Sequence, residues 1–253
     1  MIYIDPNAVT LMPLDLDPAT FQSSLPDQHY HLLFADAAIG LAVGIWDTTT
    51  MQEAFGPYPG DEFVTILDGR FAIVDGTGHA VTGGPGQSAC IQNGIPVSWT
   101  QDGYLRKIYL TLQRPDCEPL ALASADGGVI VLDPAGAKYA SHASPGHAGL
   151  GHAGLGAADE QLHGSRSRQV LFRNDLGTLC VTECQWPEVE TPVCKSPAHQ
   201  LLRVLSGQIT LTDPHGVSTT CGPDSHVFLP GGTLCKWLIA DGTVAWHVEV
   251  SPA

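Results

Sequence analysis

The stretch YPGDEFVTILDG, Tyr58–Gly69, decides the fold. A carboxylate, Glu62, stands just before a short apolar run. The run ends at Asp68-Gly69, and RFAIVD follows at once. Two short apolar runs around a glycine-containing turn are a hairpin signal. A second stretch answers it. QLLRVL leads through Ser206 and Gly207 into QITLTD.

Working outward, residues 41–112 lie over 179–250 without a gap. Leu41 meets Leu179, Gly69 meets Gly207, Asp75 meets Asp213, and Gly78 meets Gly216. Thr82 and Thr220 agree, as do Gly84 and Gly222, Gly94 and Gly232, and Trp99 and Trp237. Most of these identities are turn residues. Two copies of a β-rich unit keep their turns while the side chains between them diverge. DGTGHAV and DPHGVST supply the next turn in each copy, and QSACI and SHVFL the next strands. LRKIYLTL and VAWHVEV close each unit with β-branched and aromatic residues. Such spacing predicts an all-β protein built as sandwiches or jelly-roll barrels.

The 253 residues hold 28 Gly and 19 Pro, which favour turns over long helices. The 26 acidic residues against 11 Lys and Arg give a formal charge of -15, which opposes nucleic acid and anionic membranes as partners. The start of the chain lacks the basic and apolar segments of a signal peptide, and no apolar run is long enough to span a membrane. Seven cysteines at irregular spacing, without a CxxC pair, fit reduced thiols in a cytoplasm. Residues 138–165 contain GHAGL twice in tandem and read as a mobile Gly/Ala/His-rich linker. Its His142, His147, His152 and His163 are weak metal candidates. The expected domains are therefore 1–137 and 166–253.

This arrangement resembles a two-domain cupin, that is, two tandem cupin-type jelly-roll barrels. The similarity is to the small group carrying YPGDEF, a glycine turn, GPG and a late GTxxxW element, and it covers roughly residues 40–112 and 177–250. That group includes domains similar to ureidoglycine aminohydrolase and to an ethanolamine-utilisation cupin, and many members have no assigned function. In metal-dependent cupins the first motif carries an HxH pair and a Glu ahead of a Gly. With Gly69 fixing the register, the Glu falls on Glu62, and the His positions fall in FGPY, Phe55–Tyr58, which has none. The His of the second motif falls on Val97. In the second repeat Gln200 takes the Glu position, Cys194 is the nearest donor to the His pair, and Cys235 takes the second-motif position. These departures from the metal-dependent pattern lead to the expectation of barrels without a resident metal or cofactor.

If the register holds, Glu62, Val64 and Ile66 point into one barrel and Gln200, Leu202 and Val204 into the other. Val97 with Trp99, and Cys235 with Trp237, should approach the two mouths. Tyr109 and His247 are equivalent, as are Ile108 and Trp246, and alternation does not say which pair faces in. Glu62, Val97, Trp99, Tyr109, Gln200, Cys235, Trp237 and His247 are the ligand-binding candidates. Glu62 in an apolar barrel could serve as a general acid or base, with Cys235 and His199 as weaker catalytic candidates. Equally, Glu62 could pair with Arg106, Lys107 or backbone donors, Cys235 could be an inert buried thiol, and the tryptophans could simply fill the barrel ends. The N-terminal segment with QHYHLLF, Gln28–Phe34, should cover a sheet edge, and a long strand there could bring His29 and His31 towards the first barrel.

The expectation for function is a metal-free small-molecule-binding protein, sensory or accessory to catabolism. The alternatives are an aminohydrolase- or isomerase-like enzyme, metal-assisted or acid–base, acting on a small polar carboxylate or ureide, and a ligand-free dimeric scaffold. Homodimerisation is expected from the resemblance.

Overall fold

The computed structural model describes residues 1–113, 128–135, 140–141 and 165–251. Cys117, the four linker histidines and most of the expected linker lie outside the described residues. The chain divides into two compact units, Pro6–Gly149 and a second made of Met1–Asp5 with Leu150–Ala253. Both are built of antiparallel sheets, and among the described residues no helix is long and apolar enough to cross a membrane.

In the first unit an eight-stranded sheet is centred on Asp61–Asp68, which pairs with Ser88–Ile91 on one side and Leu105–Leu112 on the other. A five-stranded sheet faces it, with Pro96–Gln101 and Phe71–Asp75 at its middle. The second unit repeats this plan. His199–Ser206 pairs with His226–Leu229 and Val244–Val250, while Leu234–Ile239 pairs with Ile209–Thr212. Register is copied as well as order: Trp99 stands opposite Ile73, and Trp237 opposite Leu211. This is the jelly-roll arrangement expected from the repeat.

The hairpin expectation at Gly69 and Gly207 is corrected. Asp61–Asp68 and Phe71–Asp75 belong to different sheets, as do His199–Ser206 and Ile209–Thr212. Each glycine turns a corner between layers rather than joining paired neighbours. Both have φ of 78°, a left-handed conformation that glycine adopts without steric cost. A Cβ on Gly69 would come within 2.2 Å of the Tyr104 carbonyl oxygen, so the corner has no room for another residue. The true hairpin comes next. Phe71–Asp75 pairs with Ala80–Gly83 through a turn in which the Asp75 carboxylate accepts from the Thr77 and His79 amides, and Asp213 serves the His215 and Val217 amides in the same way.

Alternation then fixes what is inside. Val64, Ile66, Phe71, Ile73, Val97, Trp99 and Leu105 form the apolar interior of the first unit, and Leu202, Val204, Ile209, Leu211, Cys235 and Trp237 that of the second. Gln28–Asp36 lies along Leu41–Thr48, and Met12–Pro13 pairs with its other side.

Candidate functional site

The N-terminal interior is apolar except at one end. Inward positions on Asp61–Asp68 continue from Ile66 and Val64 to Glu62. Those on Leu105–Leu112 run from Leu105 through Lys107 and Tyr109 to Thr111, which stands opposite Glu62. Glu62 and Lys107 are both buried, at 5% and 8% exposure. They form an ion pair, with Lys107 Nζ donating to Glu62 Oε1 at 2.9 Å. The Tyr58 hydroxyl donates to Glu62 Oε2, and Thr111 Oγ1 lies 3.4 Å from Oε1. Lys107 Nζ also sits 4.6 Å from the Trp99 ring centroid and 4.9 Å from that of Trp46, so the ammonium is held between two indole faces. Of the partners open to Glu62 in the sequence, the structure selects Lys107. Arg106 points away and donates to the Pro6 carbonyl at 2.6 Å.

A second carboxylate stands beside this pair. Met51 faces the core from the two-residue strand Met51–Gln52, so alternation returns Glu53 to the inner side. Burial pushes the Glu53 carboxyl up to about 7. Lys107 pulls it down and the charge of Glu62 adds to the rise. Its carboxyl has no hydrogen-bond partner among the described residues. Tyr58 is raised well above the ordinary phenol range by burial first, then by Glu62 and Glu53. Tyr109 is raised to about 12, so both hydroxyls stay protonated as donors. Tyr109 fits only because its neighbour is Gly44, where a Cβ would lie 2.6 Å from the phenol oxygen. Glu53, Tyr58, Tyr109, Thr111 and Trp46 all keep partial exposure, which marks the open end of the barrel. A separate surface hollow of about 460 Å³, around Ser23, Arg70 and Asp102, shares none of these side chains.

The four N-terminal candidates from the sequence, Glu62, Val97, Trp99 and Tyr109, all face this interior, and it is Tyr109 rather than Ile108 that turns in. Sequence reasoning missed Glu53, Tyr58 and Thr111. Alternation from Met51 was the available signal for Glu53. His29 and His31 lie on the opposite face of the sheet from Trp46. His29 Nδ1 pairs with Asp47 at 3.0 Å and His31 Nδ1 meets the Thr10 carbonyl at 3.0 Å, so neither enters the barrel.

The C-terminal interior has a different chemistry at the same positions. Gln200 replaces Glu62, Ala245 replaces Lys107, His247 replaces Tyr109 and Glu249 replaces Thr111. His247 is fully buried and faces in. Burial, helped by the positive charge of Arg168, pushes it down to about 3, so it is a neutral imidazole. Neither of its ring nitrogens, nor Gln200 Oε1, has a hydrogen-bond partner among the described residues. Cys235 and Trp237 also line this interior, while His199 faces the other way. Its Nδ1 accepts from the Gly231 amide at 3.1 Å, and it stacks on Phe228. A His199–Cys235 catalytic couple is therefore not formed.

The side chains at the cupin Glu and second-motif His positions do not supply a transition-metal donor set in the N-terminal barrel, and supply only the Cys235 thiol in the C-terminal one. Glu62 is already committed to an ammonium and a phenol, Val97 brings no donor, and Gln200 brings no charge. Among the described residues no group of three or more His, Cys, Asp and Glu side chains is placed to hold an ion.

No protein-family profile matches the chain, and no curated protein matches it in sequence. Solved structures do match in shape. A DUF861-family protein of unknown function from Pseudomonas syringae pv. tomato is 20% identical with a TM-score of 0.63, over 97% of this chain and 95% of that one. A cupin 2 conserved barrel domain protein from Leptotrichia buccalis is 11% identical with a TM-score of 0.56, over 96% and 99%. The DUF861-family protein Ylba from E. coli is 8% identical with a TM-score of 0.54, over 99% and 91%. At these identities the likeness is one of fold, and the fold is that of the cupin-type β-barrel.

Proposed function

We propose that this protein binds a small polar molecule at the open end of the N-terminal barrel and does so without a transition metal. The observation that carries the reading is Glu53, a carboxyl that titrates near neutrality, lacks a hydrogen-bond partner among the described residues, and stands beside the closed Glu62–Lys107 pair. In its protonated form Glu53 donates, as does the Tyr109 hydroxyl, so the matching ligand offers a carbonyl or carboxylate oxygen. The aromatic walls of Trp46 and Tyr109 supply apolar contact, in the usual manner of small-molecule sites with few placed polar groups. The same observation favours a second reading, in which Glu53 is the general acid or base of a metal-independent enzyme, because a pKa near the working pH suits proton transfer.

The test is a calorimetric screen of small carboxylates and amides against metal-analysed protein. Saturable binding that weakens as Glu53 ionises, and that is reduced in Glu53→Gln and Tyr109→Phe, supports the first reading. Conversion of the bound molecule, lost in Glu53→Gln, supports the second. Binding that is unaffected by both substitutions, or a stoichiometric metal retained through dialysis, overturns the proposal.

A further inference from the structure

Cys194 and Cys235 are direct partners across the antiparallel pair of Cys194–Lys195 and Leu234–Ile239. Such partners project from the same side of a sheet with Cα atoms about 4.5–5.5 Å apart. That spacing lies inside the window of about 4.4–6.8 Å that a disulfide requires. Both side chains turn to the interior of the C-terminal barrel: Cys235 belongs to its core, and Cys194 packs against that core. Cys194 Sγ contacts the Cys235 carbonyl oxygen at 3.6 Å. No other described cysteine faces a second one in register. Cys90 stands opposite Phe63 and Ile130, Cys221 opposite Ile209, and Cys180 and Cys184 follow one another along a single strand.

The two thiols differ in access. Cys235 is 1% exposed, whereas Cys194 is half-buried and reachable from solvent. Burial, with Cys194 adding to it, pushes the Cys235 thiol up to about 11. An external reagent therefore meets Cys194 first, and Cys235 can act only on what Cys194 has become.

We propose that Cys194 and Cys235 form a reversible dithiol–disulfide site whose oxidant is a low-molecular-weight disulfide. The Cys194 thiolate attacks one sulfur of the small disulfide, whose S–S bond breaks and releases one small thiolate. Cys235 then attacks the Cys194 sulfur of the mixed disulfide and releases the second. The two protein thiols lose two electrons to the small disulfide, and their two protons end on the two small thiols released. The new bond fixes the two-residue strand Cys194–Lys195 to its neighbour at the barrel wall. This site is independent of the N-terminal binding reading.

The experiment incubates the folded, full-length protein with oxidised glutathione, quenches with acid, and reads intact mass and the cross-linked peptides. Mapping identifies the pair, since Cys117 lies outside the described residues. Wild type should lose two hydrogens, with the bond between Cys194 and Cys235, and dithiothreitol should restore it. Cys235→Ser should stop at a glutathione adduct on Cys194, and Cys194→Ser should give neither product. A readout that needs no substitution accompanies these: iodoacetamide should label Cys194 in the reduced native protein and fail to label it after oxidation. A bond mapped to any other pair, a glutathione adduct that persists in wild type, or a folded protein left unchanged by oxidised glutathione overturns the proposal.

Discussion

Lys107 and Glu62 form a buried ion pair, and both members are replaced together in the second repeat, where the same register positions hold Ala245 and Gln200. The physical reason is that neither charge is tolerable alone. Removing one partner of a buried pair leaves the other uncompensated, at a cost of about 3–5 kcal/mol. Lys107→Ala should therefore destabilise the protein by that order in urea melts. The double variant Lys107→Ala/Glu62→Gln, which copies the second repeat, should recover most of the loss. A double variant no more stable than the single one would show that the pair is not the unit of stability.

Glu53 gives the first unit a pH signature. Its folded pKa of about 7 is raised above the ordinary carboxyl value of 4.5, so the folded state holds the proton more tightly than the unfolded chain. The stabilising contribution is complete below 4.5 and is lost as pH rises from there through 7. Its upper bound is on the order of 3 kcal/mol, discounted for the partial exposure of the side chain. Glu53→Gln should lose less stability than wild type between pH 4.5 and 7.5, measured by denaturant melts across that range. Parallel curves would mean that the carboxyl is ordinary.

His247 acts in the opposite sense. Its folded pKa of about 3 lies below the ordinary 6.5, so stability is complete above 6.5 and falls as pH drops towards 3. His247→Leu should flatten the acid limb of the stability curve. It should also raise stability at neutral pH by about 1–3 kcal/mol, since it removes two buried ring nitrogens that have no hydrogen-bond partner among the described residues. A variant that is less stable at pH 7 would mean that the imidazole is satisfied in solution, with ordered water the first candidate.

The corner glycine and the hairpin glycine should separate cleanly. Gly78 has φ of 84° with open space around a Cβ, so Gly78→Ala should cost about 1–2 kcal/mol, from backbone conformation alone. Gly69→Ala adds a collision with the Tyr104 carbonyl and with Leu105, so its cost should be several-fold larger. Thermal melts of the two variants make the comparison, and equal losses would deny Gly69 its role at the corner.

The repeat was legible because its landmarks are turn residues, whose backbone demands survive when side chains drift. One position shows how far this goes: Gly86 has φ of 80°, and its counterpart Asp224 is the one non-glycine residue with positive φ among those described, at 63°. The turn is the same in both copies although only one has glycine, and Asp is among the few residues that tolerate that conformation. Inward facing of Glu62 and Gln200 followed from the cupin register set by Gly69 and Gly207 and not from alternation, since both strands are buried on both faces. Which face Leu105–Leu112 turns inward was not readable, because the more apolar alternating set, Ile108, Leu110 and Leu112, is also buried and lies on the face away from that interior, while Lys107 and Tyr109 turn in. That choice separates Lys107 from Arg106 and Tyr109 from Ile108. The corner at Gly69 was misread because a strand leaving one sheet for another has the same local sequence as a strand folding back on its partner. Glu53 escaped notice because a two-residue strand carries almost no periodic signal.

The ammonium at the polar end of the N-terminal barrel hangs from the backbone on a four-carbon stem. One such cation per polypeptide is written into the gene, so it arrives with translation and its occupancy does not vary with supply. Acylation of that one amine would switch the charge off, leaving Glu62 to answer for it.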